Sequence, residues 1–198
     1  ASDDCVCIKA ASYPDPAANR NVKNILVEHC VLWNAEPGNA VEIGYEVRCD
    51  EISDITFRDL DIVHCEYEGN QSGGVLTIHN ADRAHIHDIV YEDIRVEDAQ
   101  EKFVDIKVLD SKYSLDRKRG SVENIYFRNV EILNGNFPVS IIRGFEMHTE
   151  MSRPRNIYFD NVVVLGKKVE SPSDLHMVVE LSDDILFNGT AHAKRNPF

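Results

Sequence analysis

The chain has 198 residues and a net charge of −13, from 34 acidic and 21 basic side chains. This charge would repel both a phosphate backbone and an anionic lipid surface, so we expect no nucleic-acid partner and no membrane partner. With 43% hydrophobic residues the chain can bury one sizeable core, yet it has no run of the roughly 18 apolar residues that a membrane helix needs. We therefore predict a single domain over residues 1–198.

One short phrase recurs along the chain: Asn or Asp, then Ile, then alternating apolar or aromatic residues. Its copies begin 30, 34, 36 and 32 residues apart. The period-two alternation of β-branched and aromatic residues predicts a strand at each copy. The copies are Asn24-Ile25-Leu26-Val27, Asp54-Ile55-Thr56-Phe57, Asp88-Ile89-Val90-Tyr91, Asn124-Ile125-Tyr126-Phe127 and Asn156-Ile157-Tyr158-Phe159.

A second strand series alternates with the first. Two strands in every repeat of 30 or more residues are typical of a solenoid, whose coils bury their inner side chains only by stacking. We predict an all-β fold, a right-handed parallel β-helix of about five to six coils. The alternative is an antiparallel sandwich or jelly roll, which the regular period disfavours. The second series comprises 6–9, 41–44, 76–79, 104–107, 139–142 and 177–180.

The chain opens directly on a strand, with no capping element over the first coil. Because an uncapped coil exposes apolar surface and strand edges, we expect that coils are missing on the N-terminal side. Two copies of the chain could also associate through this first coil.

Five cysteines lie in the first third of the chain and offer only a C-x-C spacing, where a zinc site needs paired C-x-x-C motifs. We interpret them mainly as core-filling thiols and expect no metal and no cofactor. In an exported protein, Cys5 and Cys30 could instead face each other on neighbouring coils.

Alternation along the second series directs one set of polar side chains away from the core, where stacking would place them in rows on one face. Such a row could form a saccharide cleft, or it could be an ordinary solvated face. The set is Lys9, Glu42, Thr77, His79, Asp105 and Lys107.

The adjacent pair Asp3-Asp4 precedes the first strand. Two carboxylates are the minimum equipment for cleaving a glycosidic bond, since one protonates the leaving oxygen and the other activates water. Asp-Asp is also common in turns, which is our interpretation of Asp183-Asp184. Because a glycosidase needs such a pair, we predict Asp3 and Asp4 as the catalytic carboxylates. We expect Glu42 of the next coil to lie beside them.

Ser2-Asp3-Asp4-Cys5, followed by Gly38-Asn39-Ala40-Val41-Glu42-Ile43-Gly44, resembles the active-site strands of the polygalacturonase family (glycoside hydrolase family 28). There a (G/Q)-D-D-C strand is followed one coil later by G-H-G-x-S-I-G and another coil later by R-I-K. The resemblance implies an inverting hydrolase in which Asp3 is the general acid and Asp4 helps to hold the attacking water. The repeat pattern spans the chain, but the motif agreement ends within the first 79 residues.

Three departures from the family concern the residue that tunes its acid's protonation and the cations that bind its substrate. Asn39 stands in place of the family's His, and Thr77 and His79 stand in place of its Arg and Lys. Without those cations a uronate carboxylate has no obvious partner, so we expect a polysaccharide or oligosaccharide substrate other than galacturonan. A hydrolase of this kind would be secreted or periplasmic.

The remaining substrate-binding candidates surround the acidic pair. Glu42 replaces a small Ser of the family, and Tyr45 and Trp33 could each stack on a sugar ring. The predicted substrate-binding set is Glu42, Asn39, His79, Lys9, Lys107 and Tyr45.

Two other functions remain open. One is a polysaccharide lyase, with Lys9, Lys107 or Arg143 as the base. The other is a non-catalytic solenoid that binds glycans or has a structural role.

Overall fold

The computed structural model describes residues 1–12, 14–66, 73–100, 102–137 and 139–189. Two short 3₁₀ helices, Pro16–Ala18 and Pro172–Leu175, accompany the strands. No helix among these residues is long and apolar enough to cross a membrane. The strands are β1 (Val6–Ala10), β2 (Val22–Asn34), β3 (Val41–Val47), β4 (Glu51–Cys65), β5 (Gly74–Asn80), β6 (His85–Val96), β7 (Lys102–Val108), β8 (Ser121–Ile132), β9 (Ser140–Arg143), β10 (Phe145–Met147), β11 (Glu150–Ser152), β12 (Arg155–Val164), β13 (Lys167–Lys168), β14 (Met177–Glu180) and β15 (Asp183–Phe187).

The chain alternates between two sheets whose successive strands run parallel. The first sheet has the order β1-β3-β5-β7-β9-β14, and the second runs β13-β12-β8-β6-β4-β2, with β15 paired to β12. Among the described strands, only β13 and the β10–β11 pair are antiparallel. The architecture is the predicted right-handed parallel β-helix, a solenoid of about five turns. The antiparallel alternative is wrong, because consecutive coils pair in parallel and in register.

Stacked isoleucines form the axis of the core. Ile25 pairs with Ile55, and the row continues in register through Ile89, Ile125 and Ile157. This confirms the predicted row, and Ile185 extends it by one strand. A stack of rings runs beside it, with centroid separations of 5.0, 5.0, 4.7 and 4.9 Å between successive members. The stack comprises Phe57, Tyr91, Phe127, Phe159 and Phe187.

The long strands of the second sheet bend at two columns of residues with positive φ. The columns hold mostly Asn and Asp, which tolerate the left-handed conformation better than other non-glycine residues. Their side chains also link the coils, as where the Asn156 amide donates to Asn124 Oδ1 at 3.1 Å. The columns are Asn24, Asp54, Asp88, Asn124, Asn156 and Asp184, and His29, Asp59, Asp93, Asn129 and Asn161.

All five cysteines are free thiols. Cys49 and Cys65 are buried, as expected of core-filling residues, whereas Cys5 and Cys30 are partly buried. Cys7 is exposed, so the core-filling interpretation is wrong for it.

Candidate functional site

A cleft of about 240 Å³ lies at the first two coils of the first sheet. Six of the eight residues predicted as catalytic or substrate-binding line it, while His79 and Lys107 do not. The cleft is smaller than the roughly 300–1,000 Å³ pockets that enclose drug-sized ligands, so it would hold only a short segment of a glycan chain. The lining residues are Asp3, Asp4, Lys9, Pro37, Gly38, Asn39, Glu42, Tyr45, Glu46 and Tyr113.

The acidic pair is held by the loop that enters β3. Gly38 has φ +121° and approaches so closely that a Cβ there would lie 2.4 Å from the Asp3 carbonyl carbon. Asn39 donates to Asp4 Oδ1 from its backbone N at 2.9 Å and from its Nδ2 at 2.7 Å. The Asn39 Oδ1 accepts from Gly74 N at 2.8 Å, which ties Asp4 to the third coil. Asn39 therefore orients Asp4 at the wall of the cleft.

One lysine faces several carboxylates in the cleft. Lys9 Nζ lies 3.0 Å from Glu46 Oε2. Burial is the largest single effect and opposes the charge on Lys9, but the bond to Glu46 and the nearby negative charges together outweigh it and raise the pKa of the lysine. Although Cys7 as a residue is exposed, its thiol lies 3.5 Å from Gly44 O, and desolvation there together with the charges of Asp4 and Glu42 raises the pKa of the thiol. Glu46 thus neutralises Lys9, the one cation among the lining residues.

Apart from Lys9, which is exposed, the polar row of the first sheet is buried, and for these buried members the expectation that the row faces solvent is wrong. Glu42 is 1% exposed, His79 is 0% exposed, and Lys107 is also buried. Alternation predicts which side of the sheet a side chain leaves but not what covers that side. Here the Tyr45 ring stacks on His79 with centroids 4.6 Å apart. The backbone of Gly73 likewise donates to Asp105 Oδ2 at 3.2 Å.

Four charged residues of this row form a chain across three coils. Nδ1 of His79 lies 3.0 Å from each oxygen of Glu42, and Nε2 lies 3.2 Å from Asp105 Oδ2. The second contact has the distance of an ion pair but poor hydrogen-bond alignment. Lys107 Nζ donates to Asp105 Oδ2 at 2.9 Å, and the Thr77 hydroxyl donates to Glu42.

The electrostatics of the chain follow from its alternating signs. Burial works against a charged imidazole, yet Glu42 and Asp105 together raise the pKa of His79 to about 9. The pKa of Asp105 is lowered, because His79 and Lys107 outweigh the effect of burial. Burial dominates at Lys107, and its pKa is lowered. Neither Lys107 nor His79 reaches the cleft directly, so their predicted contact with substrate is not supported by the lining.

Sequence reasoning missed Tyr113, which lines the cleft from the connection between β7 and β8. Its ring lies 5.5 Å from that of Tyr45 at a tilt of 58°. An aromatic residue in an otherwise polar loop was the only available signal. Trp33 does not line the cleft, since it lies on β2 with its ring stacked on His64 at 5.4 Å. Arg143 pairs with Glu180 at 2.6 Å and is also absent from the cleft lining.

Comparison with protein-family models, curated proteins and solved structures found no match to this chain. Within the described ranges, no group of three or more His, Cys, Asp or Glu side chains is arranged to hold a metal ion. The fold therefore defines the class, a parallel β-helix protein, and the acidic cleft is the candidate site within it.

Proposed function

We propose that this protein is an inverting glycoside hydrolase that degrades a polysaccharide other than galacturonan. The observation that carries the proposal is the convergence of Asp3, Asp4 and Glu42, from two coils, on one cleft. Hydrolysis of a glycosidic bond needs one carboxyl group to protonate the leaving oxygen and another to activate water. The tyrosines of the same cleft offer ring faces for stacking on a sugar.

The two aspartates differ in ways that suit different roles. Asp4 is fixed by two hydrogen bonds from Asn39, as a carboxylate that orients a water molecule should be. Asp3 is exposed, and its Oδ1 accepts the Asp4 backbone N–H at 2.7 Å. We assign Asp3 as the general acid and Asp4 as a carboxylate that holds the attacking water.

The charge of the cleft supports an uncharged sugar as substrate. Asp3, Asp4, Glu42 and Glu46 face a single lysine there, and that lysine is paired with Glu46. A uronate carboxylate would meet net repulsion and no free cation among the lining residues. We therefore propose that the substrate is a neutral glycan. Since a hydrolase of this kind would be secreted or periplasmic, we also propose that it acts outside the cytoplasm.

The lyase alternative receives less support from the described residues. A lyase base must lose its proton near neutral pH, whereas Lys9, the lysine in the cleft, has a raised pKa. Lys107 has a lowered pKa but is buried beside Asp105 rather than in the cleft. A non-catalytic glycan-binding protein would use the same tyrosines and differs only in the absence of turnover.

The test is an assay of reducing-end release on neutral and acidic glycans with the intact protein and its Asp3→Asn and Asp4→Asn variants. We expect cleavage of a neutral glycan and a loss of about 10²–10⁴-fold in kcat for each variant. Proton NMR of the first product anomer should show inversion. Asp183→Asn is the matched control, because Asp183-Asp184 is the other adjacent acidic pair and lies on β15, away from the cleft. Full activity in both cleft variants would refute the assignment.

A further inference from the structure

The buried charges of the first sheet are costly for a fold that otherwise stacks apolar rows. Each ion removed from water loses its solvation, and its buried partners must compensate for that loss. Well-packed apolar side chains in the same positions would often be as stable or more stable. The chain Glu42–His79–Asp105–Lys107 reaches the cleft at one end only, through Glu42. Its position therefore indicates a role in the site.

The geometry around His79 favours a doubly protonated ring. A neutral imidazole has one N–H donor and one lone-pair acceptor, and an acceptor nitrogen facing a carboxylate oxygen at 3.2 Å would be repelled. Both nitrogens of His79 face carboxylates, Glu42 from β3 and Asp105 from β7. Lys107 on β7 lies behind Asp105, and the Tyr45 ring covers the imidazole face.

The cleft side of this arrangement is equally constrained. Gly44 has φ +143°, and a Cβ there would lie 2.5 Å from Glu42 Oε1, so only glycine leaves room for the carboxylate in this position. The Thr77 hydroxyl, which also donates to Glu42, fixes it from the neighbouring strand. The stacked Tyr45 ring gains attraction from a cation at its face.

We propose that His79 is a positioning residue: as an imidazolium between Glu42 and Asp105, it fixes the Glu42 carboxylate and the Tyr45 ring at the wall of the cleft, where they receive a neutral sugar. The inference rests on the proposed function for its substrate, but the positioning itself can be measured without any glycan. The raised pKa of His79 agrees with the geometry.

The first experiment follows the histidine directly, by NMR of ¹⁵N-histidine-labelled protein between pH 5 and 10. The His79 signals are identified by their loss in His79→Gln. We expect an imidazolium at pH 7 that titrates near pH 9, with Tyr45 ring resonances shifting at the same midpoint. Glu42→Gln should lower that midpoint. A neutral His79 ring at pH 7, or Tyr45 signals that ignore its titration, would overturn the proposal.

The second experiment measures the consequence for the site. On the oligosaccharide that the wild-type protein cleaves, His79→Gln should lower kcat by about 10²-fold, the usual cost of misplacing a reacting group by about 1 Å. Adding His79→Gln to Glu42→Gln should cost little more, because both act through one contact. His85→Gln is the control, since His85 also pairs with a carboxylate of the neighbouring coil, Glu123, but on the other sheet.

The two experiments separate the inference from the proposed function. If no glycan is cleaved but the NMR titrations behave as expected, the hydrolase proposal fails and the positioning role stands. If a glycan is cleaved and His79→Gln cleaves it as fast as the wild type, the positioning role fails and the hydrolase proposal stands.

Discussion

Glu42 and His79 are joined across two neighbouring strands of the first sheet, with the imidazole Nδ1 lying 3.0 Å from both carboxylate oxygens. Glu42 reaches the cleft and His79 does not, so one ion pair connects the candidate site to the buried interior. This pair makes the stability of the protein depend on pH.

The pH dependence follows from the raised pKa of His79. A histidine whose pKa is higher in the folded protein stabilises it fully below the unfolded value of about 6.5, and that contribution is lost as the pH rises through about 9. We expect the free energy of unfolding of the wild type to fall over this window relative to His79→Gln. Urea unfolding at pH 6, 7.5 and 9 tests this. Parallel curves for the two proteins would contradict it.

Truncation in the isoleucine row should be costly. Ile89 and Ile125 are fully buried between neighbours of the same row, which leaves little room to relax. We expect either residue changed to Ala to lower the free energy of unfolding by about 2–5 kcal/mol in chemical denaturation. Val31→Ala is the comparison, because Val31 is 70% exposed and should cost far less.

The Tyr91 hydroxyl should be unfavourable for stability. Its ring lies between Phe57 and Phe127, and its oxygen has no hydrogen-bond partner among the described residues. Tyr91→Phe should therefore raise the free energy of unfolding by about 1 kcal/mol. Adding a hydroxyl to the neighbouring ring, by Phe127→Tyr, should lower the free energy of unfolding. A destabilised Tyr91→Phe would show that the hydroxyl is satisfied after all.

The columns of positive φ predict a position-specific effect at Asn124, whose φ is +56°. A β-branched residue is strained in the left-handed conformation, so Asn124→Val should cost about 1–2 kcal/mol. Asn124→Gly, which relieves the strain but loses the bond from Asn156, should cost less. Thermal unfolding of both variants tests the order, and equal losses would mean that the bond matters more than the backbone.

Self-association through the first coil remains a prediction. Among the described strands, β1 and β2 each pair on one side only, and β2 exposes Val31 and Trp33. Sedimentation velocity should show weak association that grows with concentration and decreases in Val31→Lys, since a charge on an edge strand opposes pairing. A monomer of unchanged sedimentation coefficient up to high concentration would contradict it.

The coil could be predicted from the amino-acid pattern, because stacking copies of one phrase in register brings Ile25, Ile55, Ile89, Ile125 and Ile157 together in one apolar row. The pattern also indicated that Asp3, Asp4, Asn39 and Glu42 would meet, since equivalent positions of successive coils are neighbours.

The environment of the polar row, in contrast, could not be predicted from the sequence and depends on the folded structure. Alternation specifies the side of the sheet on which His79, Asp105 and Lys107 lie, but burial depends on what packs over that side. The covering groups are the Tyr45 ring, which lies on β3 and stacks on His79, and the Gly73 backbone, which donates to Asp105. Such contacts between residues far apart in sequence follow no period, which is why the ionic chain and Tyr113 were absent from the prediction.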